Sequence, residues 1–225
     1  HHLGASVKVL TPHQMASIVF GIKGYEAVLL DLEGCDVILD EIHTYSSEIQ
    51  AIVLKIIEIL KVIGCRIHVG TATMPTVLYD KILELLGGKD EVFEVSLPNN
   101  ILATFNRHII HKVADFESCS GIIKQAVAEN KKILIVCNQV KRSQMLYNEV
   151  GEKYPAVDRM LIHSHFKRCD RARLETSLKA DFNTSRNACI VVSTQVVEVS
   201  LDISFDVMIT ECAPIDAMIQ RFGRI

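Results

Sequence analysis

Short apolar runs alternate with stretches of helical periodicity along most of the chain. The run Cys35–Asp40 predicts a buried strand, and Glu48–Ile63 then places apolar residues along one broad helical face. The pattern continues with a predicted strand over Arg66–Gly70, a short helix over Val77–Leu86 and a further strand over Val92–Val95. Strands that are separated by helices indicate parallel sheets with right-handed crossovers.

The alternation is interrupted over residues 96–118, which we interpret as a connector, and it then begins again. The second series has predicted helices over Gly121–Asn130, Lys141–Lys153 and Arg168–Asn183, and predicted strands over Lys132–Cys137, Val157–His163, Ala188–Ser193 and Asp206–Glu211. We therefore predict an α/β protein with two lobes, residues 1–110 and residues 111–225.

The composition is typical of a folded protein, and it excludes one class of nucleic-acid-binding protein. Of the 225 residues, 49% are apolar and 23% are charged, which favours a packed core over disorder. The net charge of -3 excludes a protein that holds nucleic acid by bulk positive charge. Basic residues are concentrated after residue 110, so the second lobe is the better candidate for phosphate contacts.

The same sequence indicates a cytoplasmic protein with no membrane partner. No uncharged stretch is long enough for a transmembrane helix, and the chain shows no signal peptide. The seven cysteines are scattered and none has metal-ligand spacing, which is typical of reduced thiols.

Candidate chemistry follows the predicted strands, because ligands of parallel α/β sheets gather outside the carboxyl ends of the strands. Asp40-Glu41-Ile42-His43 comes directly after an apolar run. An acidic pair at this place can hold Mg²⁺ and orient the attacking water in nucleotide hydrolysis. A solvated acidic turn ahead of the next helix is the alternative interpretation.

Two further groups lie in the second lobe. Arg221 and Arg224 are three residues apart and can both reach one phosphate cluster, although a surface helix with two ordinary arginines explains them as well. Asp202 follows the strand end at Thr194-Gln195 and can accept hydrogen bonds from a ribose hydroxyl, or it can serve a structural loop.

The order of four stretches is more specific than any one of them. The sequences DEIH, TATMP, STQVVEVSLDI and QRFGR resemble motifs II, III, V and VI of the superfamily 2 helicase core. More narrowly, DEIHTYS, Thr11-Pro12-His13-Gln14, HSHF before Asp170-Arg171, and STQVVEVSLDISFD are similar to the CRISPR-associated helicase–nuclease of type I systems. This resemblance runs from about Val9 to Arg224 and implies two RecA-like lobes, both incomplete.

The resemblance implies roles in hydrolysis and coupling for five residues of the first lobe. Asp40 would bind Mg²⁺, and Glu41 would act on the hydrolytic water. His43 would couple this site to the other lobe, the alternative being a partly buried histidine that bonds locally. Thr71 and Thr73 match the motif that links hydrolysis to movement of the lobes.

In the second lobe the resemblance implies that Asp202 binds the ribose and that Gln220, Arg221 and Arg224 meet the nucleotide phosphates. Arg224 would be the arginine finger, which stabilises charge on the transferred phosphoryl group.

In the first lobe, Pro12-His13 lies between Thr11 and Gln14, and it departs from the pair that the family usually has between these two residues. The residues expected to contact nucleic acid are Thr11, Gln14, Asn138, His165, Thr194 and Gln195.

The function implied by the resemblance is ATP-dependent movement along single-stranded DNA, with ATP and Mg²⁺ as cofactors. The partners would be an RNA-guided CRISPR surveillance complex and a His-Asp nuclease domain or subunit. Because no Gly-rich GK[ST] loop occurs in these residues, we expect that motif to lie upstream of residue 1. We also expect the chain alone to hydrolyse ATP poorly or not at all.

Two other functions remain open. A general DExH helicase or restriction translocase would keep the ATP site and act on a different nucleic acid. A non-catalytic module derived from a helicase would bind nucleic acid or protein without hydrolysis, although it would have no physical need for Glu41 or Arg224.

Overall fold

The computed structural model describes residues 7–71, 74–105, 108–198 and 203–225. The chain divides into two compact units, residues 1–98 and residues 99–225. This division follows Pro98, inside the stretch that the sequence indicates as a connector. The assignment of residues 1–110 and 111–225 to two helicase lobes stays a prediction.

The first unit is an α/β structure with a parallel strand pair. Its elements are α1 (Pro12–Phe20), α2 (Tyr25–Leu32), β1 (Asp36–Asp40), α3 (Ser47–Val62), β2 (Arg66–Gly70) and α4 (Thr76–Leu86). The register places Asp36 opposite Arg66 and Asp40 opposite Gly70. The predicted strands β1 and β2 and helices α3 and α4 are therefore confirmed, whereas α1 and α2 were not predicted.

Helix α1 begins at a capping box. Thr11 is the N-cap, and its hydroxyl accepts a hydrogen bond from the Gln14 backbone N–H at 3.3 Å. The Gln14 side chain accepts the Thr11 backbone N–H at 2.8 Å, so two donors at the helix start are satisfied reciprocally. Pro12 occupies the first turn, where its missing N–H costs nothing.

Helix α3 organises the core of the first unit. Its 16 residues bury Val53, Ile56, Ile57 and Leu60. Val53 and Ile57 pack with apolar residues of α4 and the strands, while Ile56 and Leu60 pack with α1 and α2. Within the described ranges, no helix is both long and apolar enough to cross a membrane.

The other face of the β1–β2 pair is open to solvent. Both strands alternate between exposed and half-buried residues, and Ile38 is 74% exposed. The exposed Asp36 accepts hydrogen bonds from Arg66 at 2.6 Å and lies 3.1 Å from a ring nitrogen of His68. Among the described residues, one layer of helices therefore covers one side of this sheet.

The strand predicted over Val92–Val95 was wrong. These residues are irregular, and Phe93 and Val95 are 90% and 84% exposed. A short apolar run becomes a strand only where a neighbouring strand accepts its backbone hydrogen bonds, and the described residues offer none here. The short helix α5 (Asn99–Leu102) follows.

The second unit contains a larger parallel sheet. Its elements are α6 (Ser120–Ala128), β3 (Lys132–Val136), α7 (Val140–Lys153), β4 (Asp158–Ile162), α8 (Arg168–Ser177), β5 (Cys189–Ser193), β6 (Val207–Thr210) and α9 (Ile215–Phe222). The strands lie in the order β4-β5-β3-β6, and every pair is parallel. The predicted helix over Arg168–Asn183 forms as α8 followed by a π-helical turn over Leu178–Phe182.

Apolar side chains cover both faces of this sheet. Ile133 and Ile135 pack on one side with Ile123 of α6 and Leu146 of α7. Leu134 packs on the other side, in a buried cluster with Val136, Met160, Ile162, Leu178, Val191, Val197, Ile203 and Phe205. Burial on both faces is typical of parallel sheets with helices above and below. The predicted α/β class with parallel sheets is confirmed.

Candidate functional site

The acidic turn after β1 has an unusual backbone conformation. Asp40 ends the strand and is exposed, and Glu41 follows with φ 48° and ψ 39°, in the left-handed region. For a residue with a Cβ this conformation costs roughly 1 kcal/mol. The Glu41 backbone N–H donates to the Gly70 carbonyl at 2.9 Å, and the Thr44 hydroxyl donates to the Glu41 carbonyl at 2.7 Å. These bonds hold the turn against the end of β2.

His43 connects this turn to the residue that follows β2. The His43 side chain is buried, with Nδ1 2.8 Å from the Thr71 hydroxyl and Nε2 3.4 Å from a Glu41 carboxylate oxygen. The structure thus brings together three predicted residues, Glu41, His43 and Thr71, from two separate motifs. Thr73 lies outside the described residues.

The acidic turn suits a magnesium ion that is shared with a polyphosphate. Asp40 offers an exposed carboxylate, and the Glu41 side chain is partly exposed beside it. The described part of the chain has no group of three or more metal-ligating side chains. Mg²⁺ fits such a site, because it keeps several waters and takes one or two carboxylates together with substrate phosphates.

The polar residues of the second unit gather at one edge of its sheet, since all four strands run in the same direction. Thr194 and Gln195 follow β5, and Asn138 follows β3 beside it. Gln195 donates through its side-chain amide to the Asn138 carbonyl at 3.2 Å. Thr194 is buried, whereas Gln195 and Asn138 are exposed.

Arg221 is buried at this edge, and its guanidinium donates to protein groups on several elements. Nε donates to the Glu198 carboxylate at 2.7 Å, and one terminal nitrogen donates to the Thr210 hydroxyl at 2.7 Å and to the Glu211 carbonyl at 2.9 Å. The other terminal nitrogen donates to the Asn138 side-chain oxygen at 2.9 Å. The residue is 0% exposed, so Arg221 is not the ordinary arginine of a surface helix that was the alternative interpretation.

Glu198 also holds the second arginine. Its backbone carbonyl accepts a hydrogen bond from Arg224 at 2.7 Å, and the Arg224 carbonyl accepts the Phe205 backbone N–H at 2.8 Å. Sequence reasoning missed Glu198 as a functional residue. The available signal was a single acidic residue among apolar neighbours in VVEVS, directly after a buried strand. Gln220 is half-buried on α9, and Asp202 lies outside the described residues.

Asn138 braces the loop after β6. Its side-chain amide donates to the Cys212 carbonyl at 2.7 Å, and its backbone N–H donates to the Glu211 carboxylate at 2.6 Å. With Arg221 bound to the amide oxygen, both ends of the Asn138 side chain are engaged within the unit. The amide therefore organises the edge, and contact with nucleic acid would have to come from its exposed surface.

A stacked pair of rings fixes the turn after β4. His163 is 4% exposed and lies parallel to Phe166, with ring centroids 4.3 Å apart. Burial lowers the pKa of His163, which keeps the ring neutral at pH 7. The Gln144 amide nitrogen is 3.5 Å from its Nε2. The predicted nucleic-acid residue His165 is exposed beside this stack.

Thr11 and Gln14, also predicted to contact nucleic acid, form the capping box of α1. Both side chains are exposed. Their pairing accounts for the residue types at these positions, and a contact with nucleic acid remains a prediction.

Comparison with solved structures places the fold among RecA-like helicase domains. The crystal structure of T. fusca Cas3-ATP matches with a TM-score of 0.72 at 20% identity, over 90% of this chain and 28% of that one. A CRISPR RNA-guided surveillance complex, pre-nicking, matches with a TM-score of 0.69 at 20% identity, over 94% and 31%. Mss116p bound to ssRNA and AMP-PNP matches with a TM-score of 0.56 at 18% identity, over 95% and 44%.

Sequence comparison finds similarity to one particular family. The Cas3-like family of the CRISPR-associated nuclease/helicase Cas3, C-terminal, matches residues 129–225. The CRISPR-associated nuclease/helicase Cas3 of Methanothermobacter thermautotrophicus is 29% identical over 225 residues, which are 96% of this chain and 26% of that protein. The CRISPR-associated endonuclease/helicase Cas3 of Escherichia coli is 26% identical over 218 residues, 84% of this chain and 24% of that protein.

The predicted resemblance is confirmed: this chain is homologous, over nearly its whole length, to part of the CRISPR-associated Cas3 helicases. It spans about a quarter of the length of these two curated relatives. The predicted RecA-like fold is confirmed as well.

Proposed function

We propose that this chain is part of an ATP-dependent superfamily 2 helicase that moves along single-stranded DNA and supplies target DNA to a nuclease in CRISPR antiviral defence. The homology to Cas3 proteins supports the class. The observation that carries the proposal is the contact of His43 with both Glu41 and Thr71, which joins the acidic turn to the end of β2.

In the first unit, Glu41 would orient and deprotonate the water that attacks the terminal phosphate. His43 contacts Glu41 through one ring nitrogen and Thr71 through the other. A shift of the carboxylate during hydrolysis would therefore be transmitted to the segment after β2. Asp40 would be the protein ligand of Mg²⁺, whose charge neutralises the phosphates of ATP.

In the second unit, Arg224 would stabilise the charge on the transferred phosphoryl group. The exposed side chains of His165 and Gln195, at the carboxyl edge of the sheet, would contact the DNA. Contacts of this kind along a strand-end edge suit a single strand, because they are mostly directed at the backbone and tolerate any sequence.

The partners we propose are an RNA-guided CRISPR surveillance complex and a His-Asp nuclease domain or subunit. The names of the two curated relatives described above include both nuclease or endonuclease and helicase. One structural neighbour is a CRISPR RNA-guided surveillance complex. Both observations support these partners for the full-length protein.

The test is ATP hydrolysis by the full-length protein in the presence of single-stranded DNA. The wild type should be stimulated by single-stranded DNA more than by single-stranded RNA. Glu41→Gln should lower the turnover rate by at least about 100-fold, since it removes the general base. The matched control is Glu84→Gln, which neutralises an exposed glutamate of α4 and should retain wild-type turnover.

Three outcomes would contradict the proposal. Stronger stimulation by RNA would favour a general DExH helicase. Nucleic-acid binding without any hydrolysis by the full-length wild type would favour a non-catalytic module. Undiminished turnover in Glu41→Gln would show that the acidic turn is not the catalytic site.

A further inference from the structure

Arg221 and Glu198 form a buried ion pair. Burying a guanidinium costs free energy unless a counter-charge and hydrogen-bond acceptors replace the water around it. Arg221 is 0% exposed, and the Glu198 side chain that pairs with it is 13% exposed. Glu198 supplies the counter-charge at 2.7 Å, and three further acceptors complete the shell.

The acceptors belong to different parts of the unit. Asn138 follows β3, Thr210 ends β6, Glu211 follows it, and Glu198 lies after β5. A planar guanidinium directs its donors in fixed directions, so it sets the relative positions of these three strand ends. Arg221 thus fixes the edge that carries Asn138 and Gln195.

The same pair reaches the segment that carries Arg224. Glu198 binds Arg221 through its carboxylate and Arg224 through its backbone carbonyl. The two arginines are three positions apart along the chain. Any displacement of Glu198 therefore changes the support of both.

We infer that Arg221 and Glu198 form a positioning pair, which holds the strand-end edge of the second sheet and the Arg224 segment in one arrangement, and that Arg221 is not a phosphate ligand. The inference deepens the proposed function and rests on it. It replaces the sequence-based expectation that Arg221, like Arg224, meets the nucleotide phosphates. The two side chains would affect different ligands. Arg221 would affect the affinity for nucleic acid, whereas Arg224 would act on the nucleotide.

The test compares Arg221→Lys and Glu198→Gln in the full-length protein by steady-state ATP hydrolysis. Two quantities are measured: the KM for ATP and the concentration of single-stranded DNA that gives half-maximal stimulation. Both variants should raise the half-maximal DNA concentration at least about fivefold. The KM for ATP should stay within about twofold, because Arg224 would act on the transferred phosphoryl group in the transition state and not on binding of ATP. Because the residues act as one unit, the double variant should be little worse than the more impaired single variant.

Two controls separate positioning from loss of the fold. Arg186→Lys makes the same exchange at an exposed arginine in the loop before β5, and it should leave both quantities unchanged. Near-ultraviolet circular dichroism of each variant reports native packing. If Arg221→Lys does not fold, Glu198→Gln alone decides, because it keeps the size of the side chain and one acceptor for Nε.

A rise in the KM for ATP that exceeds the rise in the half-maximal DNA concentration would overturn the inference and make Arg221 a phosphate ligand. Fully additive effects in the double variant would overturn the pairing. Absence of DNA-stimulated hydrolysis in the wild type is a separate result, because it would refute the proposed function on which the inference rests.

Discussion

The two sheets of this protein use similar apolar runs in different surroundings. In the second unit, the central strands β3 and β5 are buried on both faces, and Ile135 is 1% exposed. In the first unit, β1 has an equally apolar centre, yet Ile38 is 74% exposed. The run of apolar residues thus predicts that a strand forms, while the number of covered faces depends on the layers packed around it.

The exposed face of the β1–β2 pair differs from a core in its chemistry as well. Asp36, Arg66 and His68 form an ion-paired group at one end, and Asp40 lies at the other. Exposed ion pairs of this kind contribute little to stability. The buried charge of the second unit, Arg221, is instead matched by several acceptors.

The comparison is tested most strongly by the same substitution in both sheets. Ile135→Ala should lower the free energy of unfolding by about 2–5 kcal/mol, because it leaves a cavity between two packed faces. Ile38→Ala should change it by less than about 0.5 kcal/mol. Urea unfolding followed by far-ultraviolet circular dichroism measures both. Equal losses in the two variants would show that Ile38 is buried in solution.

A smaller loss of stability is expected at the start of α1, where local hydrogen bonds, and not burial, stabilise the helix. Thr11→Ala should lower the free energy of unfolding by about 1 kcal/mol, since the Gln14 backbone N–H loses the Thr11 hydroxyl and keeps only the Thr11 carbonyl as an acceptor. Thr11→Ser keeps the hydroxyl and should retain most of the stability. The same urea experiment distinguishes them. If the alanine variant were as stable as the wild type, the capping box would not contribute in solution.

The smallest effect concerns the buried histidine of the second unit. Burial lowers the pKa of His163 in the folded chain, so the unfolded chain binds a proton more readily. Its contribution to stability is therefore complete above the ordinary histidine pKa of about 6.5 and is lost as the pH falls through the lower folded value. Below about pH 6.5, the stability of the wild type should fall more steeply than that of His163→Gln.

The control for this pH effect is His111→Gln, which removes an exposed histidine of the same unit and should keep the wild-type slope. Unfolding free energies at a series of pH values provide the measurement. A His163→Gln variant with the same slope as the wild type would mean that the ring is hydrated in the folded state.

Periodicity along the sequence predicted most of the strands and several helices, since burial imposes a regular spacing on each element. The strand Arg66–Gly70 was predicted with its observed bounds. Helix α1 was missed, although Thr11-Pro12-His13-Gln14 carries the signature of a capping box. Those side chains were interpreted only as nucleic-acid contacts, so the local signal was overlooked.

Part of the candidate site followed from one rule, that polar residues after parallel strands meet at one edge. The rule pointed to the acidic turn with Glu41 and His43, and the resemblance pointed to Thr71. The structure brings these three residues together. The rule could not predict the role of Glu198, because that role depends on an arginine 23 residues further along the chain. The rule also did not predict that Arg221 is buried, since burial depends on how the helices and strands pack together.

The left-handed turn at Glu41 has a consequence for how the protein can change. Glycine would relieve the steric cost at that position, and it would also delete the carboxylate. If Glu41 is the general base that we propose, variants selected only for heat resistance would gain glycine at this position and lose turnover. Thermal stability and catalytic activity would then favour different residues at position 41.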